Sequence, residues 1–156
     1  WLPRAYREVD NLEDRSHMLA ASMMGDVAFK KGLGAVNALA HPLGAVYDKH
    51  QGLLNAILLP YVLQYNRPAI EEKVIHIARV LELEDISFEG FQHWILQLRK
   101  TLQIPGDLQS IDINAEQSKI IGKMASQDPS AAGNPVVLSA EQYSTLFEAA
   151  VHKVKR

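Results

Sequence analysis

The chain has 156 residues, of which 47% are hydrophobic and 22% are charged, and its formal net charge is −2. This balance is typical of one globular domain and excludes a largely disordered chain. The interspersed charges offer no basic stripe for nucleic acid, and the longest apolar stretch, residues 53–63, is too short to span a bilayer. The absence of cysteine excludes disulfides, thiolate metal sites and a cysteine nucleophile, and it fits a cytoplasmic location.

The N-terminal part of the chain predicts three helices separated by glycine and proline. The first begins at the N-cap residue Asn11 and extends to about residue 31. Its apolar stripe consists of Leu12, Leu19, Met23 and Val27. A second helix covers residues 35–41 and stops or kinks at Pro42, because a proline disfavours helical backbone at the residue before it. A connection over residues 43–49 then leads to a helix that begins around His50.

The rest of the chain also predicts helices. A bend is expected at Pro60, and residues 128–135 are expected to form a loop. Further helix starts are predicted at Pro68, at Ser87, at Asn114 (paired with Gln117) and at Ser139 (paired with Gln142). The terminal helix is predicted to bury Tyr143, Leu146, Phe147, Ala150, Val151 and Val154. Together these elements predict an all-α bundle of about six to eight helices, with an irregular centre at residues 32–52 and no sheet.

The irregular centre also concentrates the polar residues that could carry chemistry. They are Asn37, His41, Tyr47, Asp48, His50 and Gln51. Asn37 and His41 are four residues apart, so they share a face of a helix. The turn after Pro42 lets Gln51 or His50 return towards that face. We therefore expect His41 to lie at the lip of a cleft, at the end of its helix, together with Asn37 and Gln51. The alternative is that His41 is an ordinary helix-end or surface residue.

Two segments, GLGAVNALAHPLGAVYD at residues 32–48 and HQGLLNAILLPYV at residues 50–62, resemble the signature of the iron-containing (group III) alcohol dehydrogenases. Residues 65–67 (Tyr-Asn-Arg) and Asn134-Pro135 add to the resemblance, which covers essentially the whole chain. It implies that residues 1–156 form a single helical metal- and substrate-binding domain of a larger enzyme, with the dehydroquinate synthase-like fold. The Rossmann-like N-terminal domain that binds the dinucleotide in the family, with its Gly-rich loop, is absent from this chain. Gly32 and Gly34 are not a substitute for that loop, since they follow a helix and not a strand.

The resemblance also implies a change at the metal site. Family members take two ligands, an Asp and a His, from an upstream helix and two histidines from the region present here. Those two positions are Asn37, four residues before His41, and Gln51, immediately before Gly52. An amide is a weaker ligand than imidazole for the metals of this family. No iron or zinc is therefore expected, and His50, one residue from the ligand position, is a weak substitute. His41 is retained, and in the family it lies near the reacting centre.

The leading functional hypothesis is the C-terminal part of an NAD(P)-dependent alcohol dehydrogenase. Hydride would pass between a small alcohol or aldehyde and nicotinamide, and His41, helped by Tyr47 or His50, would manage the alcohol proton. The expected partner is the enzyme's own N-terminal nucleotide-binding domain, without which the chain should be inactive. The cofactor-binding residues, the choice between NAD and NADP, and assembly as a homodimer stay open.

Two other hypotheses differ in class. One is a diverged, non-catalytic helical module for interaction or oligomerisation. The other is a lyase or cyclase of the dehydroquinate synthase type, which the His-Pro-Leu-Gly element at residues 41–44 and the segment 55–60 argue against.

Overall fold

The computed structural model describes residues 1–152, in which every regular element is a helix and no strand is present. The α-helices are α1 (Leu2–Arg7), α2 (Leu12–Phe29), α3 (Ala35–Tyr47), α4 (Gln51–Val80), α5 (Phe88–Thr101), α6 (Ser118–Gln127) and α7 (Ala140–Val151). Short 3₁₀ helices lie at Gln109–Ile111 and Pro129–Gly133. The predicted all-α fold is confirmed. The chain forms two compact units, Trp1–Gly32 and a second unit that begins at Leu33.

The first unit consists of α1 and α2. Asn11 caps α2 as predicted, because its side-chain oxygen accepts a hydrogen bond from the backbone N–H of Asp14 at 3.2 Å. Asp14 has no exposed surface and forms an ion pair with Arg4 at 3.0 Å. The predicted apolar stripe of α2 is exposed in the structure; Leu12, Leu19, Met23 and Val27 are between 66% and 79% accessible. This stripe therefore contributes little to the core of its own unit.

Pro42 lies inside α3, so the predicted stop at this proline is wrong. A proline within a helix forfeits the hydrogen bond to the carbonyl four residues earlier, which is here that of Ala38. Pro42 is buried, and its neighbours Ala38 and Leu43 have no exposed surface, so core packing outweighs the lost hydrogen bond. The predicted connection is therefore mostly helix, since α3 continues to Tyr47.

α4 is one helix of 30 residues that passes through both Pro60 and Pro68. The predicted helix start at Pro68 is therefore wrong. Pro60 is buried in the core. The exposed Pro68 is spanned by an ion pair between Arg67 and Glu71, which are one turn apart and 2.7 Å from each other. Such pairs stabilise the helical turn that they bridge.

The capping predictions for α5 and α7 are confirmed. Ser87 accepts a hydrogen bond from the Gly90 backbone N–H at 2.9 Å, and Ser139 and Gln142 form a complete capping box. The capping box predicted at Asn114 is wrong. Its side chain instead accepts from the Glu116 backbone N–H at 3.0 Å, which makes a tight turn before α6 begins at Ser118.

The core of the second unit lies among α3, α4, α6 and α7, with α5 packed along α4. The fully buried large side chains include Leu39, Leu43, Leu54, Ile57, Leu58, Leu108, Ile113, Ile121, Tyr143 and Phe147. The predicted inward face of the terminal helix is confirmed through Val151, and Val154 lies outside the described residues. Across residues 1–152, no helix is both long and apolar enough to cross a membrane.

Candidate functional site

The corner between α3 and α4 brings together three carboxamide side chains. Asp48, which adopts the left-handed conformation with φ of 50°, ends α3, and α4 starts three residues later. The Gln51 amide donates to the side-chain oxygen of Asn37 at 3.5 Å, and the Asn55 amide donates to the same oxygen at 3.4 Å. Both hydrogen bonds are long and therefore weak. We call Asn37, Gln51 and Asn55 the amide cluster.

Asn55 is the member of the amide cluster that the sequence did not predict. It follows Gln51 by four residues on α4, so the same spacing that linked Asn37 to His41 could have identified it. Its side-chain oxygen is buried without a hydrogen-bond partner among the described residues. The amide cluster thus contains one acceptor that its neighbours leave unsatisfied.

The donor atoms of the amide cluster do not fit a transition metal. Such metals are bound in proteins mainly by imidazole, thiolate and carboxylate groups. Within residues 1–152, no three His, Cys, Asp or Glu side chains converge where they could hold a metal ion. His50 is the N-cap residue of α4, and its ring lies against the first turn, where a Cβ added to Gly52 would be 3.0 Å from its Cε1 atom.

His41 lies in the middle of α3, one turn after Asn37 and on the same face. It was predicted at the end of a helix, and the passage of α3 through Pro42 accounts for the difference. The His41 Nδ1 atom is 2.8 Å from the Oδ2 atom of Asp128, a residue 87 positions away in the chain. The side chain of His41 is 38% exposed, whereas that of Asp128 is 13% exposed. The histidine side of the pair is therefore more open to solvent than the carboxylate side.

Asp128 is held in place by a second set of contacts. It is the N-cap residue of the 3₁₀ helix Pro129–Gly133, which replaces the loop predicted for residues 128–135. Its Oδ1 atom accepts a hydrogen bond from the Ser130 backbone N–H at 2.8 Å. Partial burial alone would raise the pKa of Asp128, but hydrogen bonds from His41 and Ser130 lower it below its ordinary value. The carboxylate is therefore ionised at neutral pH.

Tyr143 is a further buried group near this pair. It is fully buried, and its hydroxyl has no hydrogen-bond partner among the described residues. Burial raises the pKa of Tyr143, and the charges of Asp128 and Tyr65 add to the effect. The phenol therefore stays protonated. The sequence predicted only an inward-facing side chain at this position.

Tyr47 and His50 were predicted to assist His41 in proton transfer, and the structure places both against other groups. The Tyr47 hydroxyl lies 3.5 Å from the Asn114 carbonyl, and burial, followed by the charge of Glu116, raises its pKa. The ring of His50 lies against α4, as described above. A supporting role for either residue stays a prediction.

The start of α3 is fixed by a buried amide pair, Asn134 and Asn66. The Asn134 oxygen accepts from the Ala35 backbone N–H at 3.0 Å and from the Asn66 amide at 2.9 Å. The Asn134 amide donates to the Asn66 oxygen at 2.8 Å and to the Val136 carbonyl at 2.7 Å. Because α3 carries Asn37 and His41, this pair holds the site in register with α4.

Comparison with known proteins places these features in a family. A sequence model of the Fe-containing alcohol dehydrogenase family, C-terminal, matches residues 1–151. The chain is 34% identical over 125 residues to lactaldehyde reductase of Escherichia coli K12, a match that covers 76% of this chain and 33% of that protein. It is 32% identical over 148 residues to 1,3-propanediol dehydrogenase of Klebsiella pneumoniae, covering 90% of this chain and 38% of that protein. The chain thus spans between a third and two fifths of these relatives' length.

Solved structures agree with the sequence comparison. A 1,3-propanediol oxidoreductase superimposes with a TM-score of 0.90 and 32% identity, covering 96% of this chain and 41% of that one. Alcohol dehydrogenase from Oenococcus oeni gives a TM-score of 0.87 and 30% identity, with the same coverage. Sulfoacetaldehyde reductase from Bifidobacterium kashiwanohense, in complex with NAD+, shares the fold with a TM-score of 0.82 at 21% identity, covering 98% of this chain and 40% of that one.

Proposed function

Because the chain belongs to the Fe-containing alcohol dehydrogenase family, as its C-terminal helical domain, we propose that it supplies the substrate-facing half of an NAD(P)-dependent alcohol dehydrogenase. The substrate class is a small alcohol or aldehyde, in line with the lactaldehyde and 1,3-propanediol that name its relatives. The partner is a nucleotide-binding domain, and the location is the cytoplasm. The observation that carries the proposal is His41, which lies on the same face of α3 as Asn37 and is paired with the partly buried carboxylate of Asp128.

The proposed role of each residue follows from the path of the hydroxyl proton during the reaction. When an alcohol is oxidised, hydride leaves the carbinol carbon for the nicotinamide, and the hydroxyl proton must pass to a base. His41 is that base, because an imidazole nitrogen can accept a proton and its side chain is accessible. In the reverse direction His41 returns the proton to the aldehyde oxygen. The amide N–H groups of Asn37 and Gln51 orient the substrate oxygen, as neutral donors.

The first test changes the proposed base. His41→Gln keeps a polar side chain of similar size but removes the basic ring nitrogen. In the native gene product that contains this chain, it should lower kcat by about 10²-fold, because general base catalysis typically contributes that much or more. His93→Gln is the matched control, since His93 is exposed on α5 and its ring lies 3.2 Å from the Gln97 amide nitrogen, away from the amide cluster. The measurement is nicotinamide absorbance during turnover of small alcohols with NAD and with NADP.

An equal kcat for His41→Gln and the native protein would remove His41 from the reaction. The absence of any nicotinamide-dependent turnover in the native gene product would favour a second function, a non-catalytic helical module for interaction or oligomerisation. The observation that favours this second function is the presence of amides at both positions, Asn37 and Gln51, where the family resemblance implies imidazole.

The second prediction concerns the metal. We propose that the native gene product holds no stoichiometric iron or zinc at the amide cluster, since only the upstream ligands implied by the resemblance would remain. The double variant Asn37→His with Gln51→His should restore two imidazoles and bring stoichiometric metal, because tight sites usually need three or four such ligands. Elemental analysis after dialysis checks both proteins.

The matched control for this experiment is Asn114→His with Gln64→His. It makes the same two chemical changes at exposed positions outside the amide cluster. Metal bound equally by the control and the test variant would indicate adventitious binding by surface imidazoles. Stoichiometric metal in the unmodified protein would contradict the proposal directly.

A further inference from the structure

Both oxygens of Asp128 are committed to separate partners. Oδ1 accepts the Ser130 backbone N–H at 2.8 Å, which caps a 3₁₀ helix. Oδ2 faces Nδ1 of His41, also at 2.8 Å. With one oxygen tied to the backbone, the carboxylate has little freedom to rotate. The second oxygen therefore presents a fixed acceptor to the histidine ring.

The chemistry of this contact decides where the histidine proton lies. An ionised carboxylate can only accept hydrogen bonds, so the ring atom that faces it must be a donor. Nδ1 of His41 is thus protonated. In a neutral imidazole the other ring nitrogen then carries the free lone pair. The basic atom is therefore Nε2, in a side chain that is 38% exposed.

We propose that Asp128 is a positioning residue that fixes neutral His41 in the tautomer with its proton on Nδ1 and its basic lone pair on Nε2. The inference rests on the proposed function only for its effect on catalysis, since the tautomer is a property of the chain itself. Asp128 also stabilises the imidazolium that forms when Nε2 takes a proton from the substrate hydroxyl. The same pairing of histidine with carboxylate orients ligating and catalytic imidazoles in many proteins.

Asp128→Asn tests the tautomer without removing the cap. Asparagine caps helices as well as aspartate does, so its oxygen should keep the Ser130 N–H. The amide nitrogen then replaces Oδ2 opposite His41, and it can only donate. Nδ1 must become the acceptor, and the proton moves to Nε2. The variant therefore inverts the tautomer while the 3₁₀ helix stays folded.

The readout is the nitrogen chemical shift of both His41 ring atoms by NMR on the 156-residue chain at a pH where the ring is neutral. The chain has 6 histidines, and a spectrum of His41→Gln assigns the signals of interest. We expect the Nδ1–H form in the native chain and the Nε2–H form in Asp128→Asn. Asp112→Asn is the matched control, because this carboxylate is 96% exposed and lies 3.9 Å from Lys49. It should leave the His41 tautomer unchanged.

The effect of Asp128 on catalysis is measured in the native gene product. Asp128→Asn should lower kcat by about 10-fold to 10²-fold, the range for partners that orient a functional histidine, with KM changed less than twofold. Asp128→Glu should recover part of the lost kcat, since it restores an acceptor.

The tautomer measurement and the activity measurement distinguish a failure of this inference from a failure of the proposed function. An unchanged tautomer in Asp128→Asn overturns the inference, whatever the activity. An inverted tautomer with full activity in both Asp128→Asn and His41→Gln supports the positioning role and refutes the proposed function.

Discussion

Gly122→Ala should destabilise the second unit by roughly 1 to 3 kcal/mol, the range for overpacking a well-packed core, although alanine is the better helix former by about 1 kcal/mol. Gly122 is buried in α6 where this helix meets α7. A Cβ there would overlap the Ala140 carbonyl oxygen and the Ser144 hydroxyl, and would lie 2.8 Å from the Ser144 backbone nitrogen. Two of these atoms belong to the backbone of α7, so they cannot move aside as a flexible side chain could.

The measurement for Gly122→Ala is the free energy of unfolding from urea denaturation, followed by circular dichroism. Gly25→Ala is the matched control, because Gly25 lies inside α2 and a Cβ there meets nothing within 4 Å. The control should be neutral or stabilising by up to about 1 kcal/mol, since alanine loses less backbone entropy. Equal stability of Gly122→Ala and the native chain would show that α6 and α7 can separate without cost.

The local signals in this sequence predicted the helices that local chemistry controls. Ser87, Ser139 and Asn11 each cap a helix within three residues of themselves, so their role is visible without the rest of the chain. Pro42 was misread because the rule for proline is also local, whereas the burial that compensates for the lost hydrogen bond comes from other helices.

The candidate site also contains residues that local spacing predicts and one residue that it does not. The spacing of Asn37 and His41 placed both on one helix face, and Gln51 does come within hydrogen-bond distance of Asn37. Asp128 could not be found by spacing, because 87 residues separate it from His41 and the region around it predicted a loop. Nothing in the local sequence of Asp128 distinguishes a histidine partner from a simple cap. Only the packing of α3 against α6 and the following 3₁₀ helix brings the two side chains together.

Asn134→Ala should cost roughly 2 to 4 kcal/mol of unfolding free energy, the sum of about 1 for a lost cap and 1 to 3 for the Asn66 amide left unsatisfied in the core. The variant removes the acceptor for the backbone N–H of Ala35, the first residue of α3. It also leaves both polar atoms of the Asn66 side chain without their partner, and Asn66 is only 5% exposed. The Val136 carbonyl loses its donor as well.

Comparison with Asn11→Ala separates the two contributions to the cost of Asn134→Ala, namely the lost helix cap and the broken pair of buried amides. Asn11 also caps a helix through its side-chain oxygen, but its amide donates to the Glu8 carboxylate at 3.4 Å in an exposed position and not in the core. This variant should cost about 1 kcal/mol, the usual value of an N-cap.

A double-mutant cycle of Asn134→Ala with Asn66→Ala completes the test. Because removing both amides leaves neither one stranded, Asn134→Ala with Asn66→Ala should cost less than the two single changes together, by about 1 to 2 kcal/mol. Additive costs would mean that the two side chains are satisfied independently, and that α3 is not held through their mutual hydrogen bonds.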